Sequence, residues 1–365
     1  MKIENVETHL IRLPYTTGGQ KNWGNIKWST LDYVMIRIDT DAGISGWGDG
    51  FGYGSAFATK AAVDHIVAPL LIGEDARDIS GISYRLQQQN HIWGRYGITM
   101  FAISGVDIAL WDIAGKAAGL PLHRLLGGAR RMQIPAYASL FKYNDPDLVG
   151  QRVTDALEEG YEWIKLHEVE VEQVRAAREA AGDGVPIMVD TNCPWTPYQA
   201  LEKAREFAPY DPHWLEEPIF PPEDFASLSR LQIEGGIPLA AGENACTAFE
   251  FQKMIEADAV TYLQPSVTKV GGITEFRKIL TLAEAQGKTV MPHAPYFGPG
   301  LLASLHLLSA MPDESLAEVF YYKTLEASLY GDAILSRNGM MTVPDGPGLG
   351  IEPDLDVMRE YEAKD

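Results

Sequence analysis

Seven polar residues recur along the chain at nearly even spacing: Lys165, Asp190, Glu216, Glu243, Ser266, His293 and Glu318. Each closes a short apolar run, and neighbours stand 25, 26, 27, 23, 27 and 25 residues apart. That is close to the length of one strand-helix unit, and residues at the ends of successive strands converge on a barrel mouth. Asp190, Glu216 and Glu243 then fall on three consecutive strands. Three anions held side by side cannot all stay ionised without a cation. A few carboxylates, with room left for water and substrate, favour Mg²⁺ over Ca²⁺. The competing reading is that these acids cap the helices that follow, since carboxylates suit a helix N-terminus. Glu217 competes with Glu216 for the ligand position in the Glu-Glu pair.

Lys165 and His167 stand two apart on one strand, so both can face the barrel interior. His293 comes four strands after Asp190 and lies across the mouth from them. Two bases on opposite sides of a metal-held carboxylate suit proton removal on one face and proton delivery on the other. Metal and lysine would stabilise the enediolate formed between those steps. The remaining histidines (His9, His65, His91, His123, His213 and His306) have no such placement and read as structural.

Such convergence needs a scaffold of alternating elements. Eight short apolar runs, from IPAYAS at 134–139 to LAEVFYY at 316–322, alternate with amphipathic stretches such as VEQVRAAREAAG at 171–182. That alternation predicts a parallel barrel rather than an open sheet. No GxGxxG follows the first strand, so the dinucleotide signature is absent. Gly271-Gly272 and DGPGLG at 345–350 read as turns. Ahead of the barrel, residues 2–13 alternate like an edge strand, and 31–50 read as strands around an Asp-Ala-Gly turn. Helical patterns follow over 56–71, 82–93 and 99–119, the last stopping at Gly119 before Pro121. The expected organisation is α/β: an α+β capping domain at 1–125, a modified TIM barrel at 126–339, and a tail at 340–365 that returns to the cap.

Length and composition agree with that plan. A chain of 365 residues, 46% apolar and 22% charged, accommodates a barrel and one smaller domain. Its formal net charge of −20 repels phosphate backbones and anionic lipids, which argues against nucleic-acid and membrane partners. An anionic substrate would need a local positive site. Cys193 and Cys246 are too few for a disulfide framework, no apolar run reaches the ~18 residues of a membrane span, and MKIENVETHLIRLPY lacks a signal-peptide layout. A cytoplasmic location is expected.

Several stretches together resemble the mandelate racemase/muconate lactonizing enzyme group of the enolase superfamily. They are GVDIALWDIAGKAAGLPLHRLLGG at 105–128, VDTN, LEEP, GEN, QPSVTKVGGITE, PHAPYFGPGLLASLHL and VPDGPGLGIE at 343–352, and they span essentially the whole chain. The resemblance implies a (β/α)₇β barrel under an α+β cap, Mg²⁺ on Asp190, Glu216 and Glu243, and α-proton abstraction from a carboxylate. It also implies that the loop at 16–25 closes over the substrate, with Trp23, Asn192, Ser266 and Glu318 as substrate contacts. Family members are commonly homo-oligomers, often dimers or octamers.

Three positions bear on the activity. Where the family usually has Lys-x-Lys, this chain has Lys165-Leu166-His167. Ser266 replaces the usual aspartate behind the seventh-strand histidine; its hydroxyl can hold the His293 ring but brings no charge. Muconate lactonizing enzymes and dipeptide epimerases have a lysine at the Ser266 position, which disfavours those activities, and Lys269 falls where the family places no base. Lys165 is therefore expected on the substrate carboxylate, His167 and His293 as acid and base, and Glu318 opposite the metal. Dehydration of a sugar acid is the leading expectation, with racemisation, epimerisation or cycloisomerisation of a sugar-acid lactone beside it. An amidohydrolase would need a His-x-His on the first strand, which IPAYASLF does not offer. A barrel that has lost activity stays open, because the usual lysine and aspartate are both replaced.

Overall fold

A computed structural model describes residues 1–19, 29–311 and 315–363. Trp23 lies outside the described residues, as does most of the loop at 16–25.

The chain begins with β1 (Ile3–Thr16), β2 (Thr30–Thr40) and β3 (Ser45–Gly50), an antiparallel sheet in that order. Gly43, at φ +71, makes the turn between the second and third strands. The first strand is not a free edge throughout, because β12 (Thr324–Leu325) pairs with Tyr15 and Thr16. Helices α1 (Ala56–Ala62) and α3 (Ile98–Ala118) pack on this sheet, and α2 (Ile79–Gln89) packs on α3. At 21 residues α3 is long and apolar enough to cross a membrane, contrary to the expectation that no run would be. It is instead buried between sheet and barrel, which is where a helix apolar on every side belongs in a globular protein. Its approach to β3 is set by glycine: a Cβ on Gly48 would stand 1.9 Å from the Gly105 carbonyl oxygen.

After the short α4 (Leu122–Leu125), strands and helices alternate: β4 (Gln133–Ser139), α5 (Pro146–Glu158), β5 (Ile164–Leu166), α6 (Val171–Ala181), β6 (Ile187–Asp190), α7 (Pro197–Phe207), β7 (Trp214–Glu216), α8 (Phe225–Glu234), β8 (Leu239–Ala241), α9 (Thr247–Glu256), β9 (Tyr262–Leu263), α10 (Gly272–Ala285), β10 (Thr289–Val290), α11 (Pro299–Ala310) and β11 (Ala317–Phe320). All eight strands run parallel, from β10 back to β4 and on to β11. This is a (β/α)₇β barrel, and all eight apolar runs of the sequence supply its strands. Strand pleat sorts the interior into layers. Met188, Trp214 and Met291 fill the barrel beneath, and two residues on, Asp190, Glu216 and His293 stand above them.

Cap and barrel meet where α10 begins. Gly271 N–H donates to Ser104 Oγ at 2.9 Å, and Thr274 N–H donates to Asp107 Oδ1 at 2.9 Å. Beyond the barrel, β13 (Met340–Thr342) pairs with β4, and the 345–350 turn then binds the end of α3. Leu349 N–H donates to Asp112 Oδ1 at 2.8 Å, and Gly348 sits at φ +69, where a Cβ would collide with that carboxylate. The final helix α12 (Leu355–Tyr361) packs on β1.

Candidate active site

Asp190 and Glu216 end neighbouring strands in register, and Glu243 stands two residues beyond the next strand. One oxygen from each lies within 4.8 Å of the others. None of the three caps a following helix: the N-caps of α7, α8 and α9 are Thr196, Asp224 and Cys246. Glu217 turns away from the cluster. Its Oε2 accepts from Asn244 Nδ2 at 2.6 Å and from Cys193 Sγ at 3.3 Å. Burial, then Glu243 and Asp190, push its carboxyl up to about 8.

Lys165 and Glu318 lie within their strands rather than at the ends, one layer deeper than the spacing suggested. Lys165 Nζ stands 2.7 Å from Glu318 Oε1, 2.9 Å from Glu216 Oε1 and 3.3 Å from Asp190 Oδ2. Burial works to remove its proton, but Glu216 and Glu318 hold it well above the ordinary lysine range. Glu318 is fixed further by Ser139 Oγ at 2.9 Å and the Ala294 N–H at 3.0 Å.

The acids feel both burial and one another. Burial would raise Asp190, yet Lys165 and His167 draw it below its ordinary value. Glu216 goes the other way: burial, and then the Asp190 charge, push it far above the carboxylate range. For Glu243, His293 and Lys269 outweigh burial and hold it low. Asp190, Glu216 and Glu318 share the Lys165 ammonium, and partly buried Glu243 faces His293, so carboxylates outnumber the ammonium they surround. A donor set of three converging carboxylate oxygens carrying excess negative charge fits a hard divalent cation.

Each histidine turns Nε2 towards one of these carboxylates. His167 Nδ1 donates to the Leu140 carbonyl at 2.5 Å, and its Nε2 stands 3.2 Å from Asp190 Oδ2. His293 Nε2 stands 2.6 Å from Glu243 Oε2. Its Nδ1 faces Ser266 Oγ at 3.2 Å and the Tyr296 hydroxyl at 3.3 Å, and those two hydroxyls touch each other. Ser266 is therefore a support behind the His293 ring. It is wholly buried, as Lys165 and Glu216 are. Tyr296 was not singled out by the spacing, since it follows His293 in a loop and not in the strand register.

A cavity of about 600 Å³ opens above the cluster, lined by His167, Asn192, Glu243, Lys269, His293 and Glu318. The cap contributes Phe51, Tyr53 and Phe101, and of the 91–97 segment only Gly97 reaches it. Nothing in the barrel period marks Lys269 or these aromatics.

Fold and site define a capped barrel whose mouth gathers three acids between two histidines. Residues 149–357 match the family described as enolase C-terminal domain-like, and residues 25–127 match the mandelate racemase/muconate lactonizing enzyme N-terminal domain. D-galactarolactone cycloisomerase of Agrobacterium fabrum is 32% identical, and the match covers 100% of both chains. Arabinonate dehydratase of Saccharolobus solfataricus is 34% identical over 92% of this chain and 91% of its own. Among solved structures, L-talarate dehydratase from Polaromonas sp. JS666, complexed with Mg and L-glucarate, superposes with a TM-score of 0.86 at 30% identity, covering 100% of this chain and 98% of that one. The chain belongs to the mandelate racemase/muconate lactonizing enzyme family of the enolase superfamily.

Proposed function

We propose that this protein is a Mg²⁺-dependent cytoplasmic enzyme that removes the proton beside the carboxylate of a sugar acid, with dehydration as the net reaction. The observation that carries the reading is the convergence of Asp190, Glu216 and Glu243 within 4.8 Å, with a histidine on either side. These three residues would hold the metal, which when bound draws electron density from the substrate carboxylate and acidifies the neighbouring carbon. The magnesium and L-glucarate in the Polaromonas enzyme support the choice of ion and substrate class.

This chain's own residues would do the rest. Lys165 is held charged at the cluster by Glu216 and Glu318 and would stabilise negative charge on a substrate carboxylate oxygen brought there. Glu318 helps keep it charged and borders the same cavity. Asn192 lines the same cavity. The carbonyl of Leu140 fixes His167 with Nδ1 protonated, leaving Nε2 to exchange a proton with substrate. Ser266 and Tyr296 hold the His293 ring at Nδ1, so that its Nε2 is turned to the cluster. One histidine takes the α-proton, and the C–H electrons form the new carbon–carbon double bond. The other protonates the departing β-hydroxyl, so one water leaves and the enol becomes a 2-keto acid.

Cycloisomerisation of a sugar-acid lactone is the second reading, favoured by the end-to-end match to the Agrobacterium cycloisomerase. Incubation in D₂O with Mg²⁺ and a panel of sugar acids and their lactones tests both. Loss of one water is the expected result, while an isomer of unchanged composition, apart from deuterium at the α-carbon, would favour the second reading. No exchange and no product from any member at saturating Mg²⁺ would reject the shared chemistry and leave the inert barrel.

A further inference from the structure

We propose that Lys269 is a specificity-determining residue that binds a second carboxylate on the substrate, so that the preferred class is a sugar diacid or its lactone. The proposal rests on the sugar-acid reading above and names the substrate class within it.

The two buried lysines of the site differ in their company. Lys165 is in contact with three carboxylates. Lys269 is also buried, with 6% of its surface exposed against none for Lys165, and borders the cavity. Among the described residues no carboxylate stands within ion-pair distance of its ammonium. Glu243 and Glu217 feel its charge from beyond that distance, and its direct contacts are ring faces of the cap, with Nζ 4.8 Å from the Phe51 centroid and 5.9 Å from that of Phe101. Aromatic faces hold a cation by their quadrupole but do not neutralise it. A buried charge is ordinarily paired, so this ammonium has unused capacity for an anion.

Its place selects the anion. Lys165 and the acids lie on the barrel side of the cavity, and Lys269 lies against the cap. A substrate whose first carboxylate sits at the acid cluster would extend towards Phe51 and Phe101. A terminal carboxylate there would meet Lys269, whereas a terminal hydroxymethyl would leave the ammonium unpaired. The surplus negative charge of the chain gives the remaining surface no comparable attraction for a dianion. The sequence contained this residue in QPSVTKVGG, but only the fold brings it against aromatics 168 and more positions earlier in the chain.

Calorimetric titration of the magnesium-loaded protein with matched pairs tests the proposal: D-glucarate against D-gluconate, galactarate against D-galactonate, and D-mannarate against D-mannonate. In at least one pair the diacid is expected to bind about 10- to 100-fold more tightly, as a charge-assisted contact provides. Lys269→Met, which keeps the length and packing, should bring that ratio close to one, and Lys269→Arg should retain most of it. Equal binding within every pair, no diacid binding at all, or an unaltered ratio in Lys269→Met would each overturn the proposal. A lower unfolding midpoint in Lys269→Met without a change in the ratio would make the lysine only a strut between cap and barrel, overturning it as well. Deuterium exchange on monoacids without diacid preference would refute this inference and leave the proposed chemistry standing. Diacid binding erased by Lys269→Met, with no exchange on any acid, would support this inference and refute that chemistry.

Discussion

Glu216 is the residue on which the acid cluster is most strained, because it adds a third buried charge beside Asp190 and touches the same lysine. Replacing it with glutamine removes a ligand and that repulsion together. Glu216→Gln is expected to weaken Mg²⁺ binding by about 100-fold or more, beyond what loss of an outer partner usually costs. The same variant should fold without metal at least as well as the parent, since Asp190 and Glu318 remain to pair Lys165. Unchanged Mg²⁺ affinity by calorimetry would remove Glu216 from the ligand set. Metal linkage gives the parent its own signature: Mg²⁺ at 100 times its Kd should add about 2.7 kcal/mol of stability, and Glu216→Gln should lose that increment. The histidines separate by isotope. His293→Asn keeps a hydrogen-bonding ring substitute against Ser266 but has no titratable Nε2. Continued α-deuterium exchange without dehydration in that variant makes His167 the base, whereas loss of exchange assigns the base to His293.

Elements, more than individual residues, were what the sequence made legible. Even β9, only two residues long, stood out as an apolar run closed by a polar residue at the expected interval. Period-two pleating then carried Asp190, Glu216 and His293 to the correct side of the barrel. Depth within a strand was not visible in that pattern, so Lys165 and Glu318 read as strand ends although they lie inside. Contacts between distant elements were hidden for a different reason. Phe51, Phe101 and Tyr296 carry no periodic mark, and their roles exist only after β3, α3 and the loop before α11 have packed. The glycines of SGWGDG read as part of a strand, yet their reason is the helix laid over them. Gly48→Ala tests that packing, because its new methyl would meet the Gly105 carbonyl with no flexible side chain to yield. A cost at or above the ~1–3 kcal/mol typical of overpacking is expected, read as a lower midpoint in denaturant titration. A neutral Gly48→Ala would mean that α3 can lift from the sheet freely.

Across the whole molecule, two carboxyls of the cap are buried at its junction with the barrel. Asp107 of α3 meets the start of α10, where a Cβ on Gly272 would collide with it. Asp49 of β3 meets the start of α11, close to Gly298 and Gly300. Burial is the main cause that raises both, each to about 7, and hydrogen bonds offset it only in part. Their unfolded values lie near 4, so between about pH 4 and pH 7 the folded protein holds protons that the unfolded chain releases. The stability these carboxyls contribute is thus full below pH 4, falls as pH rises through that window, and is lost above 7. Asp49→Asn removes one such group while keeping an acceptor for the backbone of the barrel loop. With Mg²⁺ saturating, so that the acid cluster is held constant, this variant should raise the thermal midpoint relative to the parent at about pH 8 by a few degrees, and much less at about pH 5. An equal shift at both pH values would mean that Asp49 acts through packing and not through its proton. The pH-dependent outcome would instead make the cap–barrel seam weaken as pH rises, which matters for a cavity whose walls come from both sides of that seam.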